Sequence, residues 1–148
     1  KIENKIKNKF KAIDSFVVHI EPYTDEYSHL VLPVAEDKGL DSNLAERFGR
    51  APYLLFVNLE RDKIAGSYIV DNPHQDKEVR AGLSVVKLIN NQRANTLVTP
   101  EVGEISFHAL RDYLVEIYLT REKTAKEAVN LFKDGKLNKI SQPTKKKD

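Results

Sequence analysis

The sequence contains no cysteine, methionine or tryptophan. Without cysteine the chain forms no disulfide, and it cannot by itself hold a metal cluster through thiolates. Without methionine at position 1 it reads as a processed protein or as a piece of a longer one. The opening residues look like the middle of a helix, which favours the piece. No apolar run reaches the ~20 residues of a membrane span. The lysine-rich start lacks the apolar core of a secretion signal. A net charge of +2 shows no polycation, so bulk charge does not imply nucleic acid as a partner. What remains is ordinary for a globular protein: 148 residues, 41% hydrophobic and 31% charged. That length allows one domain with an appendage.

Along the chain, Ile2, Ile6 and Phe10 are spaced four apart, one narrow apolar stripe on a helix. Phe16 to Ile20 read as a strand that Pro22 ends. Residues 1–22 are thus one helix and one strand, too little for a core. Residues 23–28 are a polar linker, 29–142 the main domain, and 143–148 a disordered tail ending in a solvated Lys145–Lys147 run. Within the main domain HLVLPVAED is a first strand, and its Pro33 suggests an edge or a bulge. Ser42 or Asn43 is a cap for a short helix running to Phe48. YLLFVNLE and KIAGSYIVDN are two strands joined by a tight turn at Arg61 and Asp62. A helix follows with Val79, Leu83, Val86 and Ile89 or Asn90 on one face, then the strand ANTLVT. Next come a helix packing through Ile105, Phe107 and Leu110, the strand LVEIYLT, and a helix through Ala125, Val129 and Phe132 closed by Gly135. This order predicts an α/β domain with a mixed sheet covered by helices.

In such sheets ligands collect at the carboxyl ends of the parallel strands. Those ends are Glu36 to Ser42, Thr99 to Gly103 and Thr120 to Glu122. Beside the first lies AERFGRAPYLLFV, in which Arg47 and Arg50 flank Phe48 and Gly49. Two guanidinium groups there suit a carboxylate, a phosphate or an anionic cluster. The simpler alternative pairs Arg50 with Asp41 or Glu46 and uses Phe48 as an anchor in the core.

The run SNLAERFGRAPYLLFVNLE resembles the dinitrogenase iron–molybdenum cofactor accessory domains of the NifX and NifB C-terminal type. VDNP, Gly82, VGEISFHALRD and AVNLFKDGKL agree with that family, over roughly residues 29 to 142. The resemblance implies a ribonuclease H-like fold with a mixed five-stranded sheet. It also implies an anionic metal cluster as ligand, with Arg47, Phe48, Gly49, Arg50 and Gly103 as binding positions. The family usually carries histidine where this chain has Arg47. Guanidinium has no lone pair to give a metal, so the loop is expected to accept an anion instead.

IDSFVVHIEP is similar to the closing strand of the cytosolic domain of cation diffusion facilitator transporters. That resemblance implies zinc or a related divalent cation at His19 and Glu21, which share one strand face. Further ligands would come from another part of the parent chain or from a second subunit. Of the other histidines, His108 reads as a surface or packing residue. His74 and His29 stand near acids (Asp71 and Asp76, Asp25 and Glu26) that do not complete a ligand set.

These readings favour the cytosolic regulatory end of a divalent-cation efflux transporter. Its transmembrane domain would belong to the same parent chain in the cell membrane, and the cytoplasmic part would be monomeric or homodimeric. The alternative is a free-standing carrier or chaperone for an iron–molybdenum or iron–sulfur cluster. A hydrolase of the same fold ranks last. Two-metal nucleases need converging carboxylates, and neither LVLPVA nor ANTLVT carries one. No Ser-His-Asp or G-x-S-x-G pattern is present, so no enzyme activity and no catalytic residue is expected.

Overall fold

A computed structural model describes residues 27–73 and 81–144. The helix and strand expected over residues 1–22, with His19 and Glu21, lie outside them, as do His74 and Lys145–Lys147.

Six strands form one mixed sheet in the order β3-β2-β1-β4-β5-β6. They are β1 (Tyr27–Val34), β2 (Tyr53–Glu60), β3 (Lys63–Asp71), β4 (Thr96–Thr99), β5 (Glu116–Leu119) and β6 (Asn138–Lys139). The β1–β2, β2–β3 and β5–β6 pairs are antiparallel, and the β1–β4 and β4–β5 pairs are parallel. Among the described residues three helices flank the sheet: α1 (Ala81–Asn91), α2 (Glu104–Asp112) and α3 (Ala125–Lys133). The mixed α/β class therefore holds. The expected five strands are one too few, because β6 is two exposed polar residues on the sheet's edge.

Both faces of the sheet centre are covered, which is why β1 and β2 read as near-continuous apolar runs. Val31, Leu54, Phe56, Leu97 and Ile117 meet Val85, Val86 and Ile89 of α1 and Phe107 and Leu110 of α2. On the other face Leu30, Leu32, Leu55, Val57 and Val98 meet Ala125, Ala128 and Val129 of α3. The β2–β3 hairpin turns as expected on Arg61 (φ 51°) and Asp62 (φ 69°), two consecutive left-handed residues. The helix α3 opens on a capping box between Thr124 and Glu127, and Gly135 (φ 72°) follows its C-cap, Asp134.

Several further expectations need correction. The strand β1 starts at Tyr27, so Tyr27 and Ser28 are not linker. Thr144 is hydrogen-bonded to Val102, so the tail is placed at least that far. In place of a helix before Phe48 there are two short 3-10 turns, Gly39–Asp41 and Phe48–Arg50, with Leu44 and Asn43 bridged to Val34 and Thr124. Ile105 is 53% exposed; Ser106 is the residue that α2 turns inward with Phe107 and Leu110.

Pro33 lies in a central strand, not at an edge. Its position explains this. The β1–β4 ladder ends at Val31 and Leu97, before the proline. From Pro33 onward the neighbour is the loop: Ala45 donates to the Pro33 carbonyl at 2.9 Å, and Ala35 donates to Asn43 at 2.8 Å. A residue without an N–H stands where one ladder stops and another begins.

Just past the C-cap of α2, Tyr113, stands Leu114, held at φ 64° with 83% of its surface exposed. The Val115 amide donates to the Leu110 carbonyl across it at 3.0 Å, the arrangement that glycine usually serves. Leu114→Gly is expected to stabilise the domain by about 1 kcal/mol, the penalty of a left-handed Cβ. Urea unfolding checks this, and an unchanged or lower midpoint counts against it.

Candidate functional site

The chain runs from β1 to β2 and β3 on one side of the sheet, then returns to β4 and β5 on the other. The carboxyl ends of β1 and β4 therefore flank the point where strand order reverses. Residues 35–52 leave β1 there and cross the end of the sheet. Near α3 the crossing is pinned by backbone bonds: Leu44 donates to Lys123 and Ala125 donates to Ser42, both at 2.9 Å. Ser42 is buried. Its hydroxyl donates to the Glu36 carbonyl at 2.8 Å and accepts from the Lys38 amide at 2.9 Å.

On the far side the loop reaches α1. Phe48, 4% exposed, enters the core shared by α1 and α2. Gly49 meets the first turn of α1 directly. A Cβ on Gly49 would lie 2.7 Å from the Gly82 nitrogen and 2.8 Å from its Cα. Two glycines thus bring loop and helix into backbone contact. Asn72, 2% exposed, fastens the loop from the β3 side. Its Nδ2 donates to the Ala51 carbonyl at 2.7 Å and lies 3.5 Å from the Gly49 carbonyl, while its amide donates to Pro52 at 3.0 Å.

Held this way, the Phe48–Arg50 turn leaves Arg47 and Arg50 exposed on both sides of a buried phenylalanine. The Arg47 side chain makes no hydrogen bond or ion pair with another described residue. Phe48 therefore anchors the loop, as the simpler reading had it. Gly103 stands one loop over, as the N-cap of α2, buried beside Val102. Thr99, at the end of β4, donates to the Glu101 carbonyl at 2.9 Å and shapes that second loop.

The donor set points one way. Among the described residues no group of three or more His, Cys, Asp or Glu side chains gathers to hold a metal ion. The loop after β1 instead presents two guanidinium groups, which suit an anion's outer atoms. Two open clefts of about 470 and 510 Å³ lie at the opposite end of the sheet, around Arg61 at the β2–β3 turn. They have no part in this site.

His29 is also away from the site. It is the third residue of β1, and its Nε2 is 3.3 Å from the Tyr68 hydroxyl, which donates to Gln92 at 3.0 Å. Burial holds the His29 ring below the usual histidine range, against a hydrogen bond to the Arg93 backbone that pulls the other way. Its role is packing beside Phe56 and Tyr68. His108 is exposed on α2, edge-on to Phe107.

Sequence reasoning missed Asn72 as a fastener, although VDNP was noticed as a run. It also missed Thr144, which lies against Val102.

A family model described as dinitrogenase iron-molybdenum cofactor matches residues 29–135. An uncharacterized protein of Methanocaldococcus jannaschii is 25% identical over 102 residues, 68% of this chain and 86% of that one. The apo form of the orange protein from Desulfovibrio gigas superposes with a TM-score of 0.72 at 26% identity, covering 79% of this chain and 96% of that one. A Thermotoga protein described as a candidate NifB protein gives a TM-score of 0.66 at 23% identity, covering 79% and 97%. None of these descriptions mentions cation efflux, and no described helix is long and apolar enough to cross a membrane. The chain belongs to the dinitrogenase iron-molybdenum cofactor family.

Proposed function

We propose that this domain binds an anionic metal cluster, of the iron–molybdenum or iron–sulfur kind, as cargo. It would serve as a carrier or chaperone and not as an enzyme. The observation that carries the reading is the Arg47–Pro52 loop at the strand-order reversal. Its backbone is locked by Gly49 on Gly82 and by Asn72, and its two arginines are exposed. The family supplies the class of cargo. A sulfido- or oxo-bearing cluster presents a negative surface, and fixed guanidinium groups meet it by charge-assisted hydrogen bonds. The residues at this end fit contact with such an outer surface. The described residues at this end do not fit direct ligation of a metal, since neither thiolate nor imidazole is among them. The sheet order of the first five strands supports the ribonuclease H-like reading of the fold.

The transporter reading rests on residues 1–22 with His19 and Glu21, outside the described residues, and nothing in the domain or its relatives adds to it.

Titration with tetrathiomolybdate, followed by its visible absorption, tests the carrier reading. Arg47→Ala and Arg50→Ala are each expected to weaken binding about tenfold, with folding intact. Affinity should fall further as salt is raised. Saturable binding unaltered in both variants would place the ligand elsewhere. Zinc bound through this loop with the tetrathiomolybdate site absent would contradict the reading outright.

A further inference from the structure

Two buried hydroxyls near the carboxyl end of the sheet donate within the domain. Ser42 donates to the Glu36 carbonyl at 2.8 Å, and Thr99 donates to the Glu101 carbonyl at 2.9 Å. Thr120 differs. It immediately follows β5 and is 3% exposed. Its amide donates to the Thr99 carbonyl at 3.1 Å, which sets it beside the end of β4. Its hydroxyl accepts from the Glu122 amide at 3.2 Å and donates to no other described residue. Enclosed donors are ordinarily paired, and an unpaired one carries a cost of desolvation.

The same turn holds two exposed cations. The side chains of Arg121 and Lys123 make no hydrogen bond or ion pair with another described residue. Glu122 stands between them, so two positive charges face one negative charge. The turn is also joined to the arginine loop. Leu44 donates to the Lys123 carbonyl at 2.9 Å, and Asn43 is bridged to Thr124. Arg47 follows Leu44 by three residues, at most about 11 Å of extended chain. The two loops therefore border the same end of the sheet.

We infer that the turn from β5 to α3 is a second arm of the anion site. In it the Thr120 hydroxyl donates to an outer atom of the ligand, and Arg121 adds charge. The arginines of the first loop attract anions of like charge and size with little distinction among them. A hydroxyl is a neutral, directional donor, and sulfur accepts hydrogen bonds more weakly than oxygen does. Thr120 thus turns the site toward ligands that present an oxo atom at this point, such as an oxometallate or a mixed oxo-sulfido cluster.

This inference rests on the anion-binding reading, and one experiment separates them. Calorimetry measures the affinity for molybdate and for tetrathiomolybdate, two tetrahedral dianions. The proteins are the 148-residue chain, Arg47→Ala, Arg121→Gln, Thr120→Val and Thr120→Ser. Thr120→Val is expected to weaken molybdate binding about tenfold and tetrathiomolybdate binding about twofold, and Thr120→Ser should restore both. Arg121→Gln should weaken both anions about threefold at low salt, and the loss should fade at high salt. A merely structural threonine would weaken both anions alike, since a loosened turn does not distinguish oxygen from sulfur. An equal loss on both anions in Thr120→Val, or no loss on either, overturns the second arm. Where Arg47→Ala is still impaired, the first loop stands. A wild type that binds tetrathiomolybdate but not molybdate also overturns the second arm alone. If Arg47→Ala binds like the wild type, or the wild type binds neither anion, both readings fall. If Thr120→Val unfolds, Arg121→Gln decides, and its full affinity for both anions overturns the arm.

Discussion

Gly49→Ala should unfold at markedly lower denaturant than the parent, by about 3 kcal/mol, at the upper end of what overpacking costs. The new methyl would sit 2.7 Å from the Gly82 nitrogen, 2.8 Å from its Cα and 3.2 Å from the Ala81 carbonyl carbon. All three are backbone atoms of α1, so no side chain can rotate away. Either α1 shifts, opening the contacts of Val85, Val86 and Ile89 with the sheet, or the loop lifts and withdraws Phe48 from the same core. Both routes expose apolar surface, and both displace Arg47 and Arg50. For a domain of this size the loss corresponds to roughly 10 °C or more in Tm. Gly66→Ala is the control, since nothing lies within 4 Å of its Cβ position and its φ is not in the left-handed region. That substitution should be neutral or slightly stabilising. Equal stability of Gly49→Ala and Gly66→Ala would show that loop and helix are not locked together.

The same contact shows what could be seen in the sequence and what could not. Hydrophobic runs with turn residues between them located β1, β2, β4 and the β2–β3 hairpin, because burial on both faces forces apolar continuity. Helical spacing located α1 to α3. The Phe48–Tyr53 run marked the loop and its two arginines. It could not show Gly49 against Gly82, since that approach joins residues 33 positions apart and leaves no pattern of its own. The strand β6 was invisible for a different reason. It is two polar residues at an edge, held by backbone bonds that any side chain permits. Pro33 misled because a proline in a strand usually means an unpaired edge. Here its neighbour changes from β4 to the loop at that very residue, which no local rule contains. Thr144 lies in a stretch of Ser, Pro and Lys that reads as solvated tail, and only its tertiary partner, Val102, reveals otherwise.

Asn72 is the residue whose removal should best separate loop order from core packing. Its side chain is enclosed and its Nδ2 supplies the Ala51 carbonyl at 2.7 Å. Ala51 is itself buried, and no water can replace a donor there without space for it. Asn72→Leu keeps the volume and removes the donor. A buried carbonyl left without its partner costs about 1–3 kcal/mol, so a loss of about 2 kcal/mol is expected. The tetrathiomolybdate site should weaken in parallel as the Arg47–Arg50 turn loosens. Asn72→Asp is the sharper probe. An ionised carboxylate only accepts hydrogen bonds, and here it would face two carbonyl oxygens, those of Ala51 and Gly49. Burial and those oxygens push its pKa up, so the folded state binds a proton more readily than the unfolded chain. Stability of Asn72→Asp should therefore rise, relative to the parent, as pH is lowered from about 7 to about 5, because the protonated acid can again donate to Ala51. Urea unfolding at the two pH values, with amide exchange of residues 47–52, reads both effects. A pH-independent Asn72→Asp, or an Asn72→Leu as stable as the parent with the loop still protected, would remove Asn72 from its place as the fastener of the arginine turn.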